Sequence, residues 1–193
     1  MKMKVGVVGS AGGYLPPETR EKARELGRAL AMSDCVIVTG ACPGLPHEAV
    51  LGAEEIGVLA VGISPAHSLD EHRQVYASPW EEYDVIVYTG SGLMGREVET
   101  IRTCDAVVVI GGRSGTLGEF AIAYDEAKLI GVLTGTGGVA DAVPVLLDVI
   151  NKDTGADVVL DDDPPRLMEK IIAKHRERVD RGVAFRGPIV HTG

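Results

Sequence analysis

The sequence predicts a three-layer α/β domain, in which helices cover both faces of a mostly parallel sheet of about seven strands. Short β-branched runs alternate along the chain with segments of helical periodicity, and this alternation is typical of parallel strands joined by helical crossovers. Aromatic residues make up only 4% of the chain, so Val, Ile, Leu and Ala must build the core. The 25 glycines suit tight strand-to-helix turns. Together these features indicate a Rossmann-like, doubly wound architecture.

The predicted strands are the short β-branched runs, taken in chain order. They cover residues 4–8, 35–39, 58–63, 84–88, 106–110, 129–133 and 157–160. The segments between and after them have helical periodicity. These predicted helices lie near residues 17–31, 45–55, 93–103, 116–127, 139–150 and 165–177. We expect the first strand to lie at the centre of the sheet.

The chain is predicted to form one domain. Its 193 residues and 20.3 kDa fit a single core, and neither an internal repeat nor a Ser/Pro-rich linker divides it. We place the domain at residues 1–178 and a C-terminal tail at 179–193, which either is disordered or crosses onto a neighbouring subunit. Residues 64–82 form a long irregular connection, which is typical of a functional lid or a mobile segment.

Charge and cysteine content exclude several classes of protein. The net charge of −9 argues against a nucleic-acid polymer as partner, because phosphate backbones are held by clustered Lys and Arg. Cys35, Cys42 and Cys104 are widely spaced and form no Cys-x-x-Cys pair, so we expect neither a disulfide framework nor a zinc site. No apolar run reaches eighteen residues and no signal peptide is evident, so we expect a cytoplasmic protein without a membrane partner.

Three predicted strands lead into glycine-rich turns, at residues 9–13, 39–44 and 111–116. The carboxyl ends of parallel strands share one edge of a doubly wound sheet, so these turns are expected to line one cleft. Glycine is also an ordinary residue at strand-to-helix corners, so each turn taken alone is consistent with a purely structural role. From the first two turns we expect ligand contacts at Gly9, Ser10, Gly40 and Ala41.

The third turn is the strongest candidate for an anion site. Its sequence is Gly111-Gly112-Arg113-Ser114-Gly115-Thr116. The glycines let the backbone approach a ligand, and the next helix aims its free amides and the positive end of its dipole at the same place. A phosphate fits that description. None of the three turns matches the Gly-x-Gly-x-x-Gly fingerprint or a Walker loop, so we expect no redox nucleotide and no triphosphate hydrolysis. We also expect no cofactor and no metal.

Thr116 and Glu119 allow two interpretations. Thr-x-x-Glu at a helix start is a capping box, in which Thr116 would cap a backbone amide and Glu119 would reach back to the amide of the cap residue. Glycosidic chemistry would instead need the Glu119 carboxylate in the cleft. The spacing alone leaves both interpretations open.

Residues 92–119 resemble the "lonely guy" family, phosphoribohydrolases that release cytokinin bases from nucleoside monophosphates. That family has a Met-x-x-Arg-Lys helix, a Ser-Asp-Ala strand and a Pro-Gly-Gly-x-Gly-Thr-x-x-Glu phosphate loop. Here Arg96 precedes Asp105 by nine positions and Glu119 by twenty-three, which is the family spacing, and Met94 lies two positions before Arg96. The resemblance extends loosely over residues 4–150. It implies catalytic roles for Arg96 and Glu119, a nucleotide contact from Met94, and pairing into dimers whose helices help to close the cleft.

The sequence also departs from the family pattern. Gly111 replaces Pro, Arg113 replaces the second Gly, Gly118 replaces the first Glu, and Glu97 replaces Lys. These changes resemble a wider group that includes molybdenum-cofactor carrier proteins. Such sequences are often labelled lysine decarboxylases, but a pyridoxal enzyme needs a Schiff-base lysine in its site and no lysine lies in the three turns.

Three functions therefore fit the sequence. The first is a phosphoribohydrolase that splits a nucleoside 5′-monophosphate into base and ribose 5-phosphate, with the turn amides on the phosphate, Glu119 steadying the sugar cation or activating water, and Arg96 orienting the substrate or pairing with Glu119. The second is a carrier of the molybdenum-cofactor type, which would hold a pterin's phosphate without catalysis. The third is a nucleotide-binding sensor. Glu97, an extra negative charge beside the anion site, speaks against turnover of a monophosphate.

Some further residues are candidates on residue type alone. Cys42, just before a proline at a helix start, could have a lowered thiol pKa. His47 and Glu48 are adjacent on a predicted helix and make a poor metal pair. The other histidines are expected to be solvated, among them His67 and His72. The acidic run at residues 161–163 is expected to be a charge cluster at a helix start.

Overall fold

A computed structural model describes residues 1–182 and contains one seven-stranded sheet in which every pairing is parallel. The spatial order is β4-β3-β2-β1-β5-β6-β7, which confirms the predicted α/β class and the central first strand. The strands are β1 (Lys4–Gly9), β2 (Val36–Thr39), β3 (Ala60–Ser64), β4 (Val85–Tyr88), β5 (Ala106–Ile110), β6 (Leu129–Leu133) and β7 (Asp157–Asp161). All seven predicted strands are present, with ends within about two residues of the prediction.

Each strand is followed by a helix. The helices are α1 (Pro17–Met32), α2 (Leu45–Glu54), α3 (Leu69–Gln74), α4 (Gly92–Thr103), α5 (Ser114–Asp125), α6 (Gly138–Ile150) and α7 (Pro164–Asp180). Six of them were predicted. The exception is α3, which lies inside the connection expected to be irregular.

Two apolar cores cover the two faces of the sheet. On one face α1, α2 and α7 pack on the strands, with Leu26, Leu45 and Ile171 fully buried. On the other face α4, α5 and α6 bury Ile101, Phe120 and neighbouring aliphatic side chains. The arrangement is the predicted three-layer sandwich. Its inner strands are buried on both sides, as parallel sheets require, whereas Val85 and Val87 of the edge strand β4 are exposed.

The direction of winding reverses between β1 and β5. The chain steps outward from β1 to β4, and α4 then returns it to β5 on the other side of β1. Gly9 and Ile110 face each other at the carboxyl ends of the two strands. Their turns therefore diverge at the topological switch point, where doubly wound sheets open a crevice for ligands.

Residues 64–82 are more ordered in local structure than expected. Ser64 ends β3, Ser68 caps α3 by accepting the amide of Glu71 at 3.3 Å, and His72 is fully buried. The His72 ring lies 2.8 Å from the Ser64 Oγ and 2.9 Å from the Pro79 carbonyl oxygen. The expectation of a solvated His72 was wrong, because tertiary hydrogen bonds satisfy both ring nitrogens.

The end of the domain also differs from the expected boundary. Helix α7 continues through Asp180, so the first two residues of the predicted tail belong to the last helix. Residues 183–193 lie outside the described residues. Within residues 1–182, no helix combines the length and the apolar character needed to cross a membrane.

Candidate functional site

A cavity of about 320 Å³ opens at the switch point, at the carboxyl ends of β1 and β5. Its wall combines the first and third glycine turns, the start of the second turn, and side chains from α4 and α5. The lining residues are Val7, Val8, Gly9, Ser10, Ala11, Gly40, Cys42, Pro46, Leu93, Arg96, Glu97, Arg113, Ser114, Gly115, Thr116 and Glu119.

Ser10 joins the three glycine turns. Its Oγ accepts a hydrogen bond from the Gly112 amide at 2.7 Å, and its carbonyl oxygen accepts one from the Leu45 amide at 2.8 Å. A Cβ on Gly44 would approach the Ser10 carbonyl oxygen to 2.1 Å, so the second turn lies directly against the first. The turns form one connected wall, as the sequence predicted.

Arg96 and Glu119 meet inside the cavity. Arg96 projects from α4 and Glu119 from α5, with Nη1 and Oε1 3.4 Å apart and both side chains 8% exposed. Gly40 makes room for the guanidinium, because a Cβ there would lie 1.9 Å from the Arg96 Nη1. The Nη2 donates to the Cys42 Sγ at 3.3 Å. Two segments distant in sequence, the second turn and α5, therefore fix one arginine.

The pair has unused hydrogen-bonding capacity. The Nε of Arg96 is buried and has no acceptor among the described residues. Leaving a buried charged donor unpaired costs on the order of 1–3 kcal/mol, so such a group is well suited to an incoming acceptor. Burial raises the pKa of Glu119 to about 7, Arg96 opposes that rise and Glu97 adds to it. Glu119 can therefore exchange a proton near neutral pH.

The third turn leads into α5 without a side-chain cap. Arg113 occupies the cap position, and α5 begins at Ser114. Of the two interpretations left open by the sequence, the capping box is wrong: Thr116 lies inside the first turn of the helix and Glu119 points to Arg96. The backbone amides of residues 113–116 have no protein acceptor within residues 1–182. These amides and the helix dipole present positive charge to the cavity.

Glu97 lies over the same helix turn. Its Oε1 is 3.2 Å from the position of a Cβ on Gly115, and its Oε2 is 3.2 Å from that on Gly118. Gly118 and Glu97 are two of the positions at which the sequence departs from the "lonely guy" pattern. The departures are therefore neighbours in space, and the absence of a side chain at Gly118 leaves room for the Glu97 carboxyl. Burial raises the pKa of Glu97, and Arg96 opposes that rise.

Four predicted ligand-binding residues do not line the cavity. The amides of Gly111 and Gly112 are taken by the hydroxyls of Thr136 and Ser10, and their carbonyls accept from the first turn of α6. Ala41 is fully buried and donates its amide to the Thr39 hydroxyl. Met94 is 77% exposed on α4, away from the cavity wall. The remaining predicted residues line it: Gly9, Ser10, Gly40, Arg96, Arg113, Ser114, Gly115, Thr116 and Glu119.

Cys42 belongs to the site, but not as the activated thiol considered from the sequence. Burial raises its pKa, against the lowering effect of Arg96. It serves as an acceptor for that arginine. The position of Cys42 in the second glycine turn was the sequence signal that could have placed it at the site. Leu93 and Pro46 were missed because only the tertiary packing of α4 and α2 brings them to the cavity.

Other polar clusters have structural explanations. Asp163 caps α7 through the Arg166 amide at 2.9 Å, and Asp161 forms ion pairs with Arg166 and Lys170. The acidic run is thus the expected charge cluster at a helix start. Glu48 forms ion pairs with arginines of α1 rather than joining His47 at a metal. Within residues 1–182 no group of three or more metal-ligating side chains is assembled.

The fold and the site geometry define an α/β protein similar to the "lonely guy" family, with a ligand-sized cavity at its topological switch point. The chain belongs to the SLOG cluster4 family, whose model matches residues 2–168. The solved structure of TM1055 is 30% identical, has a TM-score of 0.76, and aligns over 90% of this chain and 99% of its own.

Two further structures share the fold. The molybdenum cofactor binding protein of the phototrophic bacterium Rippkaea orientalis is 24% identical, with a TM-score of 0.74 over 90% of this chain and 98% of that one. The molybdenum cofactor carrier protein of Chlamydomonas reinhardtii is also 24% identical, with a TM-score of 0.72 over the same shares. The wider group suggested by the sequence departures is thus found among the structural neighbours.

Proposed function

We propose that the protein binds the phosphate of a nucleotide at the start of α5 and hydrolyses the N-glycosidic bond of a nucleoside 5′-monophosphate. The products would be the free base and ribose 5-phosphate. The observation that carries the proposal is the buried Arg96–Glu119 pair, 3.4 Å apart. The helix amides beside it and the Nε of Arg96 have no hydrogen-bond partner among residues 1–182.

The phosphate would lie at the amides of residues 113–116. Free N–H groups and the helix dipole stabilise an anion there without a fixed lysine. The Arg113 guanidinium extends toward the first turn, with its Nη2 3.6 Å from the position of a Cβ on Gly12, and is exposed enough to reach a phosphate oxygen. This arrangement explains how a chain with a net charge of −9 can hold an anion locally.

Glu119 would act on the sugar. As the C1′–N bond breaks, its electron pair goes to the base nitrogen and positive charge develops at C1′ and the ring oxygen. The Glu119 carboxylate would stabilise this charge and accept a proton from the water that attacks C1′. The departing base nitrogen takes a proton from solvent, so that the base leaves neutral, and Glu119 then returns the proton of the attacking water to solvent. A pKa of about 7 suits a group that takes up and releases a proton in each cycle.

Arg96 would orient the substrate and hold Glu119 in place. Its Nη1 contacts Glu119, while the unpaired Nε can donate to a ligand oxygen. Loss of such a preorganised donor typically costs a factor of about 100 to 1000 in turnover.

A carrier is the second candidate function, and Glu97 favours it. A buried carboxyl beside the anion site does not help hydrolysis of a doubly charged phosphate monoester. Two structural neighbours are named as binding or carrying the molybdenum cofactor. A pterin phosphate would use the same helix amides, with no demand on Glu119.

The deciding experiment measures free base released from a panel of nucleoside 5′-monophosphates by the wild type and by Glu119→Gln. The matched control is Asp125→Asn, on the exposed side of the same helix. Release that the wild type and the control share, and that Glu119→Gln lacks, supports the hydrolase. Tight nucleotide or pterin binding with no base released from any substrate contradicts it in favour of a carrier or a sensor.

The anion site is tested separately by binding. A leucine at position 115 would project toward Glu97 and the helix amides, since even a Cβ there lies 3.2 Å from the Glu97 Oε1. Gly115→Leu should abolish nucleotide binding and leave the circular dichroism spectrum unchanged. Unchanged affinity would show that the phosphate binds elsewhere.

A further inference from the structure

Glu97 is a buried acid that the proposed hydrolysis does not use. It is 7% exposed, lines the cavity, and makes no hydrogen bond or ion pair with any residue in the described part of the chain. The neighbouring Glu119 has Arg96 as its partner, 3.4 Å away. The Glu97 charge is therefore left without a direct counter-charge.

The position of this charge is close to the proposed phosphate. Both carboxyl oxygens lie against the first turn of α5, at 3.2 Å from the Cβ positions of Gly115 and Gly118. The amide of Gly115 is one of the free donors of that turn. A phosphate on these donors would lie only a few ångströms from the Glu97 carboxyl.

The cavity has four charged side chains, and they are arranged unevenly around the proposed phosphate position. Arg96 and Glu119 from α4 and α5 face each other, Arg113 lies toward the first turn, and Glu97 faces the glycine surface of α5. The helix amides, Arg96 and Arg113 attract each negative charge on the phosphate and Glu97 repels each, so a second charge adds a repulsion that a neutral residue at position 97 would not exert. With an effective dielectric constant of about 20, one extra charge a few ångströms away lowers affinity on the order of tenfold or more.

We propose that Glu97 is a specificity-determining residue that selects a singly charged phosphodiester over a doubly charged phosphomonoester. The inference rests on the proposed anion site and ranks its ligands: a nucleoside 5′-monophosphate still binds there, but more weakly than a nucleotide whose phosphate carries a second ester bond. The "lonely guy" pattern has Lys at position 97 and Glu at position 118. The change to Glu97 and Gly118 would then be one coupled change, which alters the phosphate charge that the site prefers.

The test uses two probes without a base, ribose 5-phosphate and its methyl phosphodiester. Binding is measured by calorimetry at pH 8, where the monoester is doubly charged because its second pKa is about 6. The wild type should bind the diester at least tenfold more tightly than the monoester. Glu97→Gln preserves size and removes the charge, so it should tighten monoester binding and reduce that ratio about tenfold.

Glu99→Gln is the matched control, since Glu99 is exposed on the same helix and should leave the ratio unchanged. An unchanged ratio in Glu97→Gln, an equal loss of both probes, or no binding of either probe overturns the proposal. An equal loss would mean that Glu97 accepts hydrogen bonds from the ligand instead of sensing its charge. Because neither probe has a bond to cleave, this result is independent of whether the hydrolysis itself occurs.

Discussion

At the scale of single residues, Gly40 is the position on which the Arg96 geometry depends. A Cβ on Gly40 would lie 1.9 Å from the Nη1 of Arg96, at the end of a flexible side chain. Gly40→Ala should therefore displace the Arg96 guanidinium at little cost to folding. We predict at least a tenfold loss of activity or nucleotide affinity, with an unfolding free energy within about 1 kcal/mol of the wild type.

The matched substitution is Gly12→Ala, in the first glycine turn, where the nearest atom to a Cβ is 3.6 Å away. It should retain ligand binding, as measured by calorimetry. Equal effects of the two alanines would show that the turns respond to any added side chain and that displacement of Arg96 is not the cause.

Glu119 should make stability depend on pH. Its pKa is raised to about 7 by burial, above its value in the unfolded chain, so the folded state holds the proton more tightly. This contribution to stability is fully present below the unfolded pKa and is lost as pH rises to about 7. The loss is about 3 kcal/mol.

The measurement is urea unfolding of the wild type and Glu119→Gln at several pH values from 5 to 8. The variant lacks the buried charge, so its unfolding free energy relative to the wild type should increase over this range. A difference that stays constant with pH would place the Glu119 pKa near its ordinary value.

At the scale of elements, the hydrogen bond between Ser10 and Gly112 connects the turns after β1 and β5. Ser10→Ala leaves the Gly112 amide without its 2.7 Å acceptor and should destabilise the fold by about 1–2 kcal/mol while weakening phosphate binding. Thermal unfolding and calorimetric binding measure the two effects. Ser33→Ala is the control. The Ser33 hydroxyl donates to the Ala29 carbonyl oxygen, and this oxygen keeps the Ser33 backbone amide as a donor when the hydroxyl is removed. A Ser10→Ala protein with wild-type affinity would separate this link from the site.

Elements were predictable where two local signals coincided. The strand at Ala106–Ile110 is a β-branched run that ends in a glycine turn, and its predicted bounds match the structure. Helix α3 was missed because its six residues have no periodic apolar pattern, and it is anchored by the distant contacts of His72.

The candidate site was likewise predictable where a local sequence signal existed and not where distant contacts determine the geometry. The "lonely guy" spacing linked Arg96 with Glu119, which lie 3.4 Å apart, and the glycine turns indicated which loops line the cavity. The contact of Glu97 with the glycine surface of α5, and the role of Cys42 as an acceptor, depend on how α4 packs on α5 and on the second turn. No local sequence pattern specifies such packing.

At the scale of the whole molecule, the layer of α4, α5 and α6 presents exposed apolar side chains. Val145 and Val149 on α6 are 65% and 76% exposed, and Met94 on α4 is 77% exposed. Apolar groups spread over neighbouring helices are typical of a surface that pairs with a copy of itself. The dimer implied by the family resemblance would bury this layer, and Met94, which is absent from the cavity wall, would then contact the second copy.

We therefore predict that the protein elutes at twice its 20.3 kDa and that Val149→Glu makes it a monomer, as measured by light scattering after size exclusion. A carboxylate cannot be buried in an apolar interface without a partner, so the substitution should act on association rather than on folding. Met32→Glu places the same charge on α1, whose Met32 is 74% exposed on the opposite layer, and should leave the dimer intact. A monomeric wild type, or a dimer that only Met32→Glu disrupts, would exclude the α4–α6 layer as the interface.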